Sequence, residues 1–119
     1  MKRDMDLIRK ILLKIEESPE FSFIRPFNIE EYDNNQVVYH IILLDEAGLI
    51  KARDASAGGN NYCWIPDRLS WAGHEFLEAS RDERRWEKAK SMIFDKGGNL
   101  AFSLLENLLL QLMTKAVLG

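Results

Sequence analysis

The stretch 33–50 carries its own start, body and stop signals. Asp33 offers a carboxylate to an orphan amide of the first turn, and Gln36 three residues on can reach back, the pattern of a capping box. Gly48 supplies the left-handed residue that closes a helix, and Leu49 beyond it is placed to pack back on Leu44. The spacing predicts a helix over 34–47, against which the rest of the chain must be built. Immediately after it, Leu49-Ile50-Lys51-Ala52-Arg53 reads as a strand.

The neighbours of this helix can be read on either side. Residues 49–55 and 61–69 form two candidate strands around Ser56-Ala57-Gly58-Gly59-Asn60-Asn61, whose glycines and asparagines tolerate positive φ, so a hairpin is expected. Tyr62, Trp64 and Ile65 supply strand-forming bulk, and Pro66 fits an edge or a frayed end. Upstream, Asp4 is a good N-cap for a first helix with Ile8, Ile11, Leu12 and Ile15 on one face. That helix should end near Glu17, because Pro19 disfavours a helical Ser18. Lys2, Arg3, Arg9, Lys10 and Lys14 lie on its wet side. The signal over residues 20–32 is weak. Phe21, Phe23, Phe27 and Ile29 suggest an extended strand joining the hairpin, and a very short helix around residues 29–32 is the alternative.

Downstream, Ser70 caps a helix expected to turn Trp71, Phe76 and Leu77 inward. The helical pattern continues through Trp86, Ala89 and Ile93, with a bend near residues 80–82. Gly97-Gly98 marks a break, Asn99 a cap, and residues 100–117 a last helix whose apolar face is wider than the usual core-facing stripe.

The segment from His40 to Ile50, with Leu44, Ala47, Gly48 and Leu49 at fixed spacing, resembles the third helix of winged helix-turn-helix domains. The similarity extends to the hairpin and to Leu69-Ser70-Trp71-Ala72-Gly73-His74-Glu75-Phe76-Leu77, which looks like the segment after the wing in many such regulators. The opening Met1-Lys2-Arg3-Asp4-Met5-Asp6-Leu7-Ile8-Arg9-Lys10 looks more specifically like a bacterial and phage family of domains of unknown function, one with no established activity. The resemblance implies an α+β winged-helix fold with a small antiparallel wing and a C-terminal helical extension. It departs from the common pattern between residues 20 and 32, where a second helix would stand.

At 119 residues the chain suits one domain with a real core: a winged-helix part over 1–96 and a C-terminal helix over 97–119, the latter an oligomerisation element. The single cysteine, Cys63, excludes an internal disulfide and makes no zinc set with two distant histidines. A reducing, cytoplasmic setting is expected. Arg9 and Lys10 interrupt the apolar run that begins at Leu7, so no signal peptide is expected. Glu106, Asn107, Gln111 and Lys115 interrupt the last helix, so no membrane span is expected either.

Charge distribution bears directly on function. Residues 1–15 carry five basic and two acidic side chains, whereas residues 16–50 carry Arg25 alone against eight acids. The most acidic part of the chain therefore contains the helix that the resemblance would place in DNA. At 100° per residue, Val37, Ile41, Leu44 and Ala47 face the core, while Asn34, Asn35, Val38, Tyr39, Ile42, Asp45 and Glu46 face away. In DNA-reading domains of the resembled kind, the positions matching Val38, Tyr39, Ile42 and Asp45 are usually polar or basic. Base reading needs bidentate Arg, Lys, Asn or Gln, and phosphate contacts need cations. Asn34, Asn35 and Gln36 could still read adenine, but Val38, Tyr39 and Ile42 look more like a packing surface. The plain structural alternative is that the chain's own last helix, or a second copy, covers this face.

Arg81, Arg84, Arg85 and Lys88, at i, i+3, i+4 and i+7, form a basic stripe. Its ordinary reading is a solvated face balanced by Glu78, Asp82, Glu83 and Glu87; its sharper reading is contact with phosphate or with an acidic partner. Lys51 and Arg53 on the hairpin could add two phosphate contacts. Leu104, Leu105, Leu108, Leu109, Leu112 and Met113 are the candidate dimer residues of the last helix. His40 is expected to pack at its helix edge with local hydrogen bonds, His74 to sit in a helix cap, and Cys63 to be inert packing. No metal set, cofactor motif or catalytic dyad is found, since Gly58-Gly59 lacks the Lys-Ser/Thr of a phosphate loop. The reading is a non-catalytic interaction or regulatory module acting as a homodimer, with a DNA-binding regulator as the alternative.

Overall fold

A computed structural model describes residues 1–19, 23, 27–58, 62–94 and 102–118, excepting the Phe94 side chain. Among these residues the fold is α+β, with five helices and one two-stranded antiparallel sheet. The chain divides into two compact units, Met1–His74 and Glu75–Gly119.

The first unit holds α1 (Met5–Glu17), α2 (Asn34–Glu46), β1 (Ile50–Asp54), β2 (Trp64–Leu69) and the first turn of α3 (Trp71–Ser80). Helix α1 starts where its cap dictates, with the Asp4 carboxylate accepting from the Leu7 amide at 3.1 Å. It stops where Ser18, ahead of Pro19, turns extended. Leu7, Ile8, Ile11, Leu12 and Ile15 are its buried face.

Both arms of the capping box on α2 are formed: Gln36 N–H to the Asp33 carboxylate at 2.8 Å, and Asp33 N–H to the Gln36 side chain at 3.2 Å. The helix closes through Gly48 at φ 76, with Gly48 N–H donating to Asp45 O at 3.1 Å and Leu49 N–H to Leu44 O at 3.0 Å. These are the two bonds of a Schellman ending. Helix α2 packs against α1 and both strands, so its buried residues span from His40 through Val37 and Ile41 to Val38, roughly 160° at 100° per residue. The narrower core stripe expected from periodicity omitted Val38, which is only 6% exposed. Ala47, expected inward, is instead exposed at the helix end.

The hairpin pairs Ile50 with Leu69 and Lys51 with Arg68, then Ala52 with Pro66, so Asp67 is the extra residue of a bulge in β2. Pro66 thus sits within the strand beside an irregularity, not at its frayed end. Residues 59–61 of the connecting loop lie outside the described residues, as do 20–22 and 24–26, where much of the expected extra strand would fall. The described part of that region is not a strand. Phe23 donates its N–H to Pro66 O at 3.4 Å, and Tyr32 N–H bonds Ile29 O at 3.2 Å across a turn that holds Glu31 at φ 75. That turn is also not the short helix considered as the alternative.

Helix α3 is capped by Ser70, whose Oγ accepts from the Gly73 amide at 3.1 Å and donates to Gly48 O. A Cβ on Gly73 would stand 2.0 Å from the carbonyl oxygen of Leu49. The first turn of α3 therefore abuts the α2–β1 corner through Gly73, and Trp71, two residues or 200° around the helix, is turned away. Trp71 is 82% exposed, contrary to the inward position expected of it.

In the second unit α3 breaks at residues 81–82 and α4 (Glu83–Phe94) begins under an Asp82 cap, whose carboxylate accepts from the Arg85 amide at 2.8 Å. Helix α5 (Phe102–Leu118) packs on α4. Phe76 joins the two, edge to face with Trp86 at 6.3 Å between centroids and tilted on Phe102 at 4.6 Å. Phe76, Leu77, Trp86, Ala89, Ile93, Leu105 and Leu109 are buried. The expected break at Gly97-Gly98 and cap at Asn99 lie outside the described residues.

Candidate functional site

The face of α2 proposed for recognition is reduced by its own packing. Asn34 and Asn35 are exposed and Tyr39 is 37% exposed, but Ile42 is half-buried and Val38 belongs to the interior. The Asp45 carboxylate is turned to the hairpin, accepting from the Ala52 amide at 3.0 Å next to the bulge. What remains in water along one line is Asn35, Tyr39, part of Ile42 and Glu46, with no cation among them.

On the hairpin, Arg53 is committed to its own chain. Its guanidinium pairs with the bulged Asp67 and donates to Phe23 O at 2.6 Å, while the side chain stays partly exposed. Lys51 is exposed, and the register sets it directly opposite exposed Arg68. Like charges opposite one another on neighbouring strands destabilise the pair unless an anion lies between them. Arg68 was missed in the sequence because only the bulge fixes which residue faces Lys51. At the open end of the ladder, Cys63 N–H donates to Ser56 Oγ at 2.9 Å and Ser56 N–H to the Asp54 carboxylate at 2.9 Å. Hydrogen bonding from the Ser56 side chain, then from its backbone N–H, holds the Asp54 carboxyl below its ordinary value.

The basic stripe is split by the helix break. Arg81 precedes α4 and pairs with Glu78 at 2.7 Å, so it leaves the stripe. Arg84 and Lys88 are exposed and Arg85 is half-buried. Lys115 of α5 joins them around a cavity of about 300 Å³. Nothing local in the sequence links Lys115 to this group, since the pairing of α4 with α5 brings it there.

On α5, Leu105 and Leu109 are fully buried and so cannot meet a partner, a correction to their assignment as dimer residues. Leu108, Leu112 and Met113 are half-buried and Leu104 is 48% exposed. The solvent face instead presents Leu104, Asn107, Leu110, Gln111, Thr114, Val117 and Leu118. The most apolar stripe was the one the chain uses for itself.

His40 is buried, with Nε2 2.8 Å from the Asp4 amide nitrogen and Nδ1 2.8 Å from Gln36 O. An amide can only donate, so Nε2 accepts and the proton resides on Nδ1. The ring is a structural tie between α1 and α2, not merely a local packing residue. Lys10 lies over the Tyr32 ring and Lys14 over the Phe27 ring, 5.4 and 4.9 Å from their centroids. Burial, then the charges of Asp4 and Asp6 and a hydrogen bond to Asp4, push the Tyr32 phenol up. Among the described residues no three His, Cys, Asp or Glu side chains converge as a metal set, and no helix is long and apolar enough to cross a membrane.

A capped helix against a hairpin, with helices α4 and α5 following, makes a small α+β protein. The chain belongs to the family described as "Hypothetical protein (DUF2513)", which it matches over residues 2–99. It is 38% identical over 107 residues to a Haemophilus influenzae protein described as "Uncharacterized protein", covering 89% of this chain and 90% of that one. No solved structure matches it.

Proposed function

We propose that the chain is a non-catalytic, winged-helix-type interaction module that pairs with a second copy of itself along α5. The winged-helix reading is supported by the succession of α1, a turn, the Schellman-closed α2, a hairpin and a clamped α3. The pairing rests on one observation: with Leu105 and Leu109 already buried, the opposite face of α5 leaves Leu104, Leu110, Val117 and Leu118 in solvent. That face matches its own reverse. An antiparallel copy centred between Leu110 and Gln111 sets Leu104 against Val117 and Asn107 against Thr114, as the isologous contact of a two-fold dimer requires. Sedimentation at about 10–100 μM, a range that covers ordinary micromolar affinities, should give twice the chain mass, and Leu110→Glu should return a monomer. A monomeric native chain across that range removes the pairing.

A second reading, a DNA-binding regulator, is favoured by the juxtaposed exposed cations Lys51 and Arg68. Its test is duplex binding at two salt concentrations, because phosphate contacts weaken steeply with salt. We put it second because the outer line of α2 carries no cation and Arg53 already pairs with Asp67.

A further inference from the structure

We propose that the cavity between α4 and the C-terminal half of α5 binds a small phosphate monoester. Four cations line it: Arg84, Arg85 and Lys88 from α4 and Lys115 from α5. The one carboxylate in its wall, Asp82, is engaged by the Arg85 amide as the cap of α4. Its carboxyl is held below the usual range by that bond and by the adjacent guanidinium groups. Among the described residues no ion pair joins any of the four cations to a carboxylate. The lining thus carries an excess of three positive charges.

A second observation concerns Arg85 itself. Arg85 Nε is withdrawn from water and has no hydrogen-bond partner. A buried donor on a charged group is costly to leave unmatched, and native structures rarely do so without an ion or water to receive it. Asp82, engaged by the Arg85 amide, is not its partner. A phosphate monoester supplies what the wall lacks. It brings two negative charges and three acceptor oxygens, suited to the planar fork of an arginine flanked by lysine point charges. Leu112 and Ala116 form an apolar floor for the esterified group. About 300 Å³ is at the lower end of small-ligand sites, enough for a compact ester. The proposal does not rest on the dimer reading, although Lys115 also borders the groove lined by Leu110, Gln111 and Thr114 on the solvent face of α5.

The test is calorimetric titration of the full chain with three probes at about 50 mM and 200 mM salt, a range over which phosphate contacts are strongly screened. The probes are inorganic phosphate, adenosine 5′-monophosphate and a mixed-sequence duplex. The monophosphate should bind with Kd of about 1 mM or tighter, and more tightly than inorganic phosphate. Arg85→Lys, which keeps the charge and removes Nε–H, should weaken it about tenfold, and Lys88→Gln and Lys115→Gln about fivefold each, as expected for charged hydrogen bonds and point charges. Lys88 and Lys115 are exposed, so their variants decide the matter even where Arg85→Lys fails to fold. Absence of monophosphate binding at about 10 mM in low salt overturns the proposal, and so does binding indifferent to these substitutions. Duplex binding that far exceeds monophosphate binding and is lost in the same variants would replace the small ester with a nucleic-acid backbone.

Discussion

The imidazole of His40 and the backbone amide of Asp4 are joined by a 2.8 Å hydrogen bond across 36 positions of sequence. The bond ties the N-cap of α1 to the flank of α2, and it fixes the tautomer because only an unprotonated Nε2 accepts. Long-range ¹H–¹⁵N spectra should therefore show the Nδ1–H tautomer. His40→Phe keeps an aromatic ring but removes the acceptor and adds bulk at a buried position, and should cost about 2 kcal/mol or more, the penalty for a partly buried donor left unmatched plus overpacking. Urea unfolding measures it, and a loss below about 0.5 kcal/mol, the usual scale of a surface change, would show the contact to be incidental.

Gly73 tests the clamp between α3 and the α2–β1 corner. On helix propensity alone, Gly73→Ala should stabilise α3 by about 1 kcal/mol. The added Cβ would instead meet the Leu49 carbonyl oxygen at 2.0 Å, and that neighbour is backbone, which cannot swing aside. The expected outcome is destabilisation by about 2–3 kcal/mol, in the range of overpacked sites. Calorimetry of the single variant reads the sign directly, and a raised Tm would mean that α3 does not approach the corner so closely.

Local chemistry made some of this fold legible. Asp33, Gln36 and Gly48 set the limits of α2, Asp4 and Pro19 those of α1, and the Ser70 cap and the bend at residues 80–82 also fell where the side chains pointed. Periodicity failed wherever a second element decided which way a face looked. Val38 is covered because α2 is packed by α1, β1 and β2 together, which needs a wider arc than one apolar stripe. Trp71 is exposed because a glycine two residues later is the contact. Arg81 drops out of the basic stripe because the bend comes between it and α4, and Lys115 enters because another helix carries it there. Arg53 reads as able to touch phosphate, but its partner Asp67 lies fourteen residues away at a bulge that no spacing rule announces.

Acid should loosen the caps. The Asp82 carboxyl is lowered chiefly by its bond to the Arg85 amide, and that of Asp54 by its bonds to Ser56. A carboxyl with a folded pKa below its unfolded one stabilises the fold at pH above the unfolded value, and that contribution disappears as pH falls through the folded value. In this window the unfolded chain binds more protons, so stability should decline below about pH 4, the ordinary range of an aspartate. Asp82→Asn retains a capping oxygen without the titration and should flatten part of that decline. Urea unfolding from pH 6 to 3 compares the two proteins, and parallel curves would remove Asp82 from the account.

The two faces of α5 should respond oppositely to truncation. Leu105 is fully buried, so Leu105→Ala should cost about 2–4 kcal/mol through lost burial and the cavity left behind. Leu110 is 39% exposed, so Leu110→Ala should change the stability of an isolated chain by less than about 0.5 kcal/mol. If a second copy covers Leu110, however, the cost of Leu110→Ala must grow with protein concentration, because only the dimer feels the loss. Thermal unfolding at about 1 μM and 100 μM separates these terms by mass action, since dissociation links Tm to concentration. A Leu110→Ala effect that is small and identical at both concentrations would leave the outer stripe of α5 as ordinary surface. A rising one would identify the leucines that face water in the single chain as the groups that hold two chains together.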